Sequence, residues 1–113
     1  RECQCHTSRT PLARVDNVFE FDGKRILLEV KLNISLEDDL ISQLHQYIFA
    51  DYISLSNTSN NNITDFEKNF MFVIDVYSMY KYNVKSKKLT RVFDLDEIKS
   101  KDDIITHMRD AIL

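Results

Sequence analysis

Hydrophobic and polar positions alternate with period two through residues 14–34, and the alternation is broken once, at Asp22-Gly23. Asp-Gly between two β-rich runs marks a two-residue hairpin turn, because both turn positions need positive φ. That turn sets Glu20 opposite Arg25, Val18 opposite Leu27 and Asp16 opposite Glu29. One face of the hairpin carries Asp16, Val18, Glu20, Arg25, Leu27, Glu29 and Lys31. The other carries Val15, Phe19, Phe21, Ile26, Leu28, Val30 and Leu32, with Asn17 and Lys24 as its polar members, and is the expected core face. A helix should follow, with Ser35 as N-cap and Asp38 in the capping-box position. Leu36, Leu40, Leu44, Tyr47 and Ile48 form its apolar stripe, flanked by Gln43, and it should end near 50–53. Phe70 to Tyr77 is apolar except for Asp75, as expected of a strand covered on both faces. Met79 to Val84 and Leu89 to Leu95 predict a second hairpin around residues 85–88. Ser100 and Asp103 repeat the capping-box pattern before an amphipathic helix carrying Ile104, Ile105, Met108, Ala111 and Ile112.

Between the first helix and the Phe70 strand lies Ser54 to Thr64, rich in Asn and Ser, which predicts a mobile surface loop. Three glycosylation-type tripeptides start at Asn33, Asn57 and Asn62 and are read as by-products of this composition. The 113 residues suit a single domain spanning 1–113, and 43% hydrophobic content supplies a core. One Gly and one Pro exclude collagen-like and linker-like classes. No apolar run is long enough to span a bilayer, so no membrane association is expected. With no secretory signal visible, a cytoplasmic setting is the expectation. Arg1 at the start suggests a fragment, a processed chain or a trimmed one.

A net charge of −3 argues against coating nucleic acid by bulk electrostatics. Cys3 and Cys5 are read as reduced thiols, since no second ligand pair follows them at zinc spacing, even with His6 beside them. The chemistry concentrates at Asp16, Glu29 and Lys31. Opposed carboxylates on neighbouring strands destabilise a sheet, so the pair asks for compensation. Lys31 supplies one positive charge, and Mg²⁺ or Mn²⁺ would supply the rest, with the Val30 carbonyl completing an inner shell of hard oxygens. Without a metal the same three residues read as a solvated ion network, and Gln43 as a surface amide. His45 and His107 read as surface or edge residues, and Tyr77, Tyr80 and Tyr82 as strand packing. Lys85, Lys87, Lys88 and Arg91 form a basic cluster that is either a solvated hairpin tip or a DNA-phosphate contact.

Asp16, followed thirteen residues later by Glu29-Val30-Lys31 on the far strand of a hairpin, resembles the PD-(D/E)xK nuclease superfamily. Gln43-x-x-x-Tyr47 is similar to the Gln-bearing helix of many such enzymes, restriction and repair nucleases among them. The resemblance covers residues 12–55 and the strand at 70–77. It implies a mixed α/β, restriction-endonuclease-like αβββαβ core with a central mixed sheet flanked by helices, here lacking the first helix. Glu2 is the candidate replacement for that helix's acidic group. The implied function is Mg²⁺-dependent DNA hydrolysis. Asp16 and Glu29 would bind metal with Val30, Lys31 would act on water and phosphate, and Gln43 would orient a phosphate or Lys31. The alternative is a non-cleaving nucleic-acid-binding or protein-interaction module on the same fold. A homodimer, or a part of a larger multidomain protein, fits either reading.

Overall fold

A computed structural model describes residues 13–55 and 62–112 of the chain. Glu2, Cys3, Cys5, His6 and the tripeptide at Asn57 lie outside them. The fold is mixed α/β. In chain order its elements are β1 (Ala13–Val15), β2 (Asn17–Phe21), β3 (Lys24–Val30), α1 (Leu40–Ile48), β4 (Ile53–Leu55), β5 (Asn62–Ile63), β6 (Phe70–Ile74), β7 (Ser78–Asn83), β8 (Lys88–Asp94) and α2 (Lys101–Ile112). The main sheet has the order β2-β3-β6-β7-β8, and β1, β4 and β5 form a second, smaller sheet.

The Asp22-Gly23 turn has positive φ at both residues, 51° and 78°. It fixes the antiparallel register anticipated above, with Glu20 opposite Arg25 and Val18 opposite Leu27. β3 then pairs in parallel with β6, Glu29 beside Val73. The remaining strands follow antiparallel, with an irregularity between Met79 and Tyr80 that lets Val92 and Phe93 pack together on one side.

Both faces of the sheet are buried. Leu27, Met71, Val73 and Tyr82 pack against Leu44, Tyr47 and Ile48 of α1. Ile26, Phe70, Phe72, Met79 and Phe93 pack against Met108 of α2. The first hairpin face is therefore covered in part: Leu27 and Glu29 are buried under α1, whereas Glu20 and Arg25 beside the turn stay exposed. Val15 belongs to the α1 side and not with Phe19, because the chain bends at Asp16 and the alternation restarts there. β1 leaves the hairpin at that bend and pairs in parallel with β4. Val30 and Leu32, expected in the core, are exposed and take no part in the cluster under α2.

Helix α1 begins four residues later than the Ser35 cap predicts, with Asp39 at its N-cap. Asn33 accepts hydrogen bonds from the Ser35 backbone N–H and hydroxyl, which closes a single 3₁₀ turn over Ile34–Leu36 instead. Leu36 is consequently 71% exposed rather than part of the stripe. The Asn-rich segment also differs from a plain loop, since Ser54 is a buried β4 residue and 62–63 form β5. At α2 the Ser100 hydroxyl accepts from the Asp103 N–H, and the Asp103 carboxylate accepts from Lys99 rather than from Ser100.

β6 stops short of the predicted Tyr77 because Asp75 turns the chain. This carboxylate is 4% exposed and accepts from three backbone N–H groups, those of Ile34, Tyr77 and Ser78. Burial alone would raise its pKa, but the three donors outweigh it and hold the carboxyl below its ordinary value. The bond to Ile34 ties the segment after β3 to the end of β6. Asp75→Ala should therefore lower unfolding free energy by about 3 kcal/mol, because it orphans buried N–H groups. A carboxyl with a depressed folded-state pKa stabilises above its unfolded-state value, near 4, and loses that contribution as pH falls through the folded one. Urea unfolding from pH 5 to pH 2 should show this acid-dependent loss in the wild type and a flatter profile in Asp75→Asn.

Candidate active site

The bend at Asp16 and the end of β3 bring three predicted residues together. Asp16 Oδ2 accepts from the Val30 N–H at 2.8 Å, and the Asp16 N–H donates to Glu29 Oε1 at 3.4 Å. Lys31 Nζ lies 3.6 Å from Glu29 Oε2. Glu29 is 4% exposed, roofed by α1, from which the Tyr47 hydroxyl donates to Oε2 at 3.0 Å. One turn earlier on α1, Gln43 lies near enough to Tyr47 to lower the pKa of its hydroxyl, and it lines the adjoining groove. Spacing of four along α1 puts both side chains over the same end of the sheet.

Electrostatics set Glu29 apart. Burial raises its pKa, and the Asp16 carboxylate beside it raises it further. Tyr47 and Lys31 pull the other way without cancelling the rise. Tyr47 in turn has its pKa pushed well above the phenol range, first by burial and then by the Glu29 charge, so it serves as a hydrogen-bond donor.

Two contributors were not legible in the sequence reading. Tyr47, read as a stripe residue, is the hydroxyl that holds Glu29; its place four residues after Gln43 was the available signal. Glu37 was overlooked, and its Oε1 lies 3.5 Å from Lys31 Nζ. It is delivered by the 3₁₀ turn, which nothing but the Asn33 side chain announces. Lys31 is thus shared between two carboxylates at the mouth of an open groove of about 550 Å³ lined also by Asp38, Asp39, Ser42, Gln43 and Gln46.

The donor set suits a hard divalent cation. A side-chain cluster of three or more His, Cys, Asp or Glu is absent among the described residues, so a third protein ligand has to come from the backbone. The N–H and C=O of one strand residue point to the same side. The Val30 N–H points at Asp16, and its carbonyl therefore lies on that side too. Asp16, Glu29 and the Val30 carbonyl supply three oxygens, and an ion such as Mg²⁺ retains several waters of its own.

The basic cluster is elsewhere. Lys85, Lys87 and Lys88 sit at the β7–β8 turn, where Asn83 pairs with Phe70 and Lys88, whereas the Glu29 row crosses β6 and β7 at Val73 and Tyr80. At about 3.3 Å per strand residue the turn is roughly 15–20 Å from the carboxylates. Arg91 is held by Asp94 at 3.1 Å. The structure does not join this cluster to the centre. His45 is not a plain surface residue, since its Nε2 meets the Tyr82 hydroxyl. His107 packs on Phe93 with ring centroids 5.6 Å apart. Tyr82 is fully buried packing, and Tyr77 is exposed.

Comparison with protein-family models, curated proteins and solved structures gives no match.

A carboxyl whose folded-state pKa is raised is favourable below its unfolded-state value, here 4.5, and that contribution is lost as pH rises through the folded-state one. Without divalent metal, Glu29→Gln should therefore raise stability by about 1 kcal/mol at pH 8 and change little at pH 4. Tyr47→Phe should lower it by about 1–2 kcal/mol, because Glu29 loses its neutral donor while staying buried. Urea titrations of both variants in chelator measure the two effects.

Proposed function

We propose that this chain is a metal-dependent nuclease domain of the restriction-endonuclease-like kind, hydrolysing DNA phosphodiesters. The observation that carries the reading is the juxtaposition of Asp16, Glu29 and Lys31 at one sheet end, with Glu29 buried against a second negative charge. Supporting it, the hairpin β2–β3, the helix α1 and the parallel strand β6 follow the order in which the αβββαβ core places its strands and second helix. The departure is β1, which pairs in the smaller sheet.

Asp16, Glu29 and the Val30 carbonyl would hold Mg²⁺ or Mn²⁺. Such an ion supplies charge neutralisation at the phosphate and a water of lowered pKa. Lys31 lines the open groove with its ammonium between Glu29 and Glu37, from where it would donate to a phosphate oxygen or a nucleophilic water. Glu37 holds Lys31 from the outer side, Tyr47 fixes the Glu29 carboxylate, and Gln43 in the groove lining would orient a phosphate. The binding-module alternative draws on one observation: Asp16 and Glu29 already have hydrogen-bond partners without any ion.

Nicking of supercoiled plasmid by wild type beside variants separates the two. With Mg²⁺ the wild type should cut, and Lys31→Ala should lose about 10³-fold or more in rate while keeping its fold and most of its Mg²⁺ affinity by calorimetry. Glu29→Ala should lose both. Ca²⁺ should support DNA binding without cleavage, because its looser coordination fails at the chemical step. Absence of divalent binding together with absence of cutting by wild type, on single- and double-stranded substrates, would leave the binding module standing.

A further inference from the structure

On the α2 side of the sheet, β7 and β8 change character along their length. Met79, Val92 and Phe93 are apolar and pack under α2. Beyond them, the same side of β7 presents Lys81 and Asn83, and their β8 partners are Thr90 and Lys88. Four hydrogen-bonding side chains thus replace the apolar floor where the helix ends. With His107, Asp110 and Ala111 of α2 and Ser86 of the turn, they line a cleft of about 450 Å³.

The donors there are largely unspent. Lys81 Nζ donates to the Ala111 carbonyl at 2.6 Å and lies 4.6 Å from the Phe70 ring centroid, which holds the helix end in place and leaves further N–H donors. Asn83 accepts from the Ser86 N–H through Oδ1, leaving its NH₂ free to donate. Lys88 and Thr90 have no side-chain partner among the described residues. Arg91 is spent on Asp94. Asp110 is the one carboxylate in the lining. A solvated sheet face normally mixes charges of both signs; this one gathers donors around a concavity in a chain of net charge −3.

We infer that this cleft is an anion site that takes a phosphate group, with Lys88 as its principal cation and Thr90, Asn83 and Lys81 as hydrogen-bond donors. Phosphate fits because it offers several acceptor oxygens to convergent N–H and O–H groups and neutralises the excess cationic charge. The site is on the opposite side of the sheet from α1 and Glu29, and it does not depend on the nuclease reading.

Titrating inorganic phosphate into the wild-type chain, followed by amide chemical shifts, tests it. Saturable shifts should fall within residues 81–90 and 107–111, and Lys88→Ala or Thr90→Val should weaken binding at least fivefold. Lys85→Ala removes the same charge outside the cleft and should change affinity less than twofold. A 5′-phosphorylated dinucleotide that displaces phosphate at lower concentration places the group on a nucleic-acid end. One that competes no better than phosphate places it on a small molecule, and both support the site. Shifts that never saturate, or equal weakening by Lys85→Ala and Lys88→Ala, overturn it, since general electrostatics then accounts for the effect.

Discussion

Because β3 and β6 run parallel, the chain between them must travel back along the sheet before it can pair again, and that obligation places α1. A parallel neighbour cannot be reached by a tight turn. The return path therefore has to bury its own apolar side, and Leu40, Leu44, Tyr47 and Ile48 do so over Leu27, Met71 and Val73. Asp75 secures the junction by bonding the Ile34 N–H, so the exit from β3 and the end of β6 move as one piece. The ladder itself continues past β3, with the Lys31 N–H donating to the Ile74 carbonyl. Most of the candidate centre hangs from this seam: Glu29 from β3, Lys31 from the residue after it, and Tyr47, Gln43 and Glu37 from the crossover, while Asp16 joins from the β1–β2 bend.

The crossover also explains why the first hairpin face is buried beyond Glu20 and Arg25 although five of its seven residues are charged. Val18 and Leu27 pack under α1 near the turn, while Glu29 lies at the far end, where α1 offers a hydroxyl instead of a methyl group. Lys31 reaches the rim, with its ammonium between Glu29 and Glu37. A buried carboxylate with a hydroxyl donor, one long backbone N–H bond and a shared cation is tolerable but not comfortable. The helix roof makes Glu29 expensive to ionise, and Asp16 makes it more so.

Much of this was written locally in the chain. The Asp22-Gly23 turn dictates the register from Phe21–Lys24 to Asn17–Leu28 by itself. Turn chemistry and strand period thus brought Asp16 near Glu29, although Asp16 meets it from a bend past the last ladder pair rather than as a strand partner. The start of β6, the second hairpin and α2 were likewise legible, because each is bounded by its own signals. What escaped was set by contacts between distant segments. Asn33 and Ser35 look like a helix start, but Asp75, forty-one residues away from Ile34, holds that segment in a 3₁₀ turn. The parallel partner of β1 is another such case, since three short residues carry no period from which a second sheet could be inferred. Glu37 enters the site only through that 3₁₀ turn, so no motif could have named it.

Two buried carboxylates at the same end of one sheet make the decisive contrast. Asp75 is met by three backbone N–H groups and titrates below its ordinary value; its charge is solved by the fold, and its role is structural. Glu29, equally buried, faces a second carboxyl and titrates above its ordinary value. The chain plainly has the means to satisfy a buried acid, since it does so at Asp75. That it leaves Glu29 in conflict, beside a lysine and an open groove, is an arrangement that costs stability without aiding the fold. Perturbed groups of this kind concentrate where a ligand or a reaction relieves the strain. A divalent cation would reverse the sign of the Asp16–Glu29 interaction, turning a mutual repulsion into shared coordination. The difference between these two acids, more than the motif, marks Glu29 as the residue kept for a ligand.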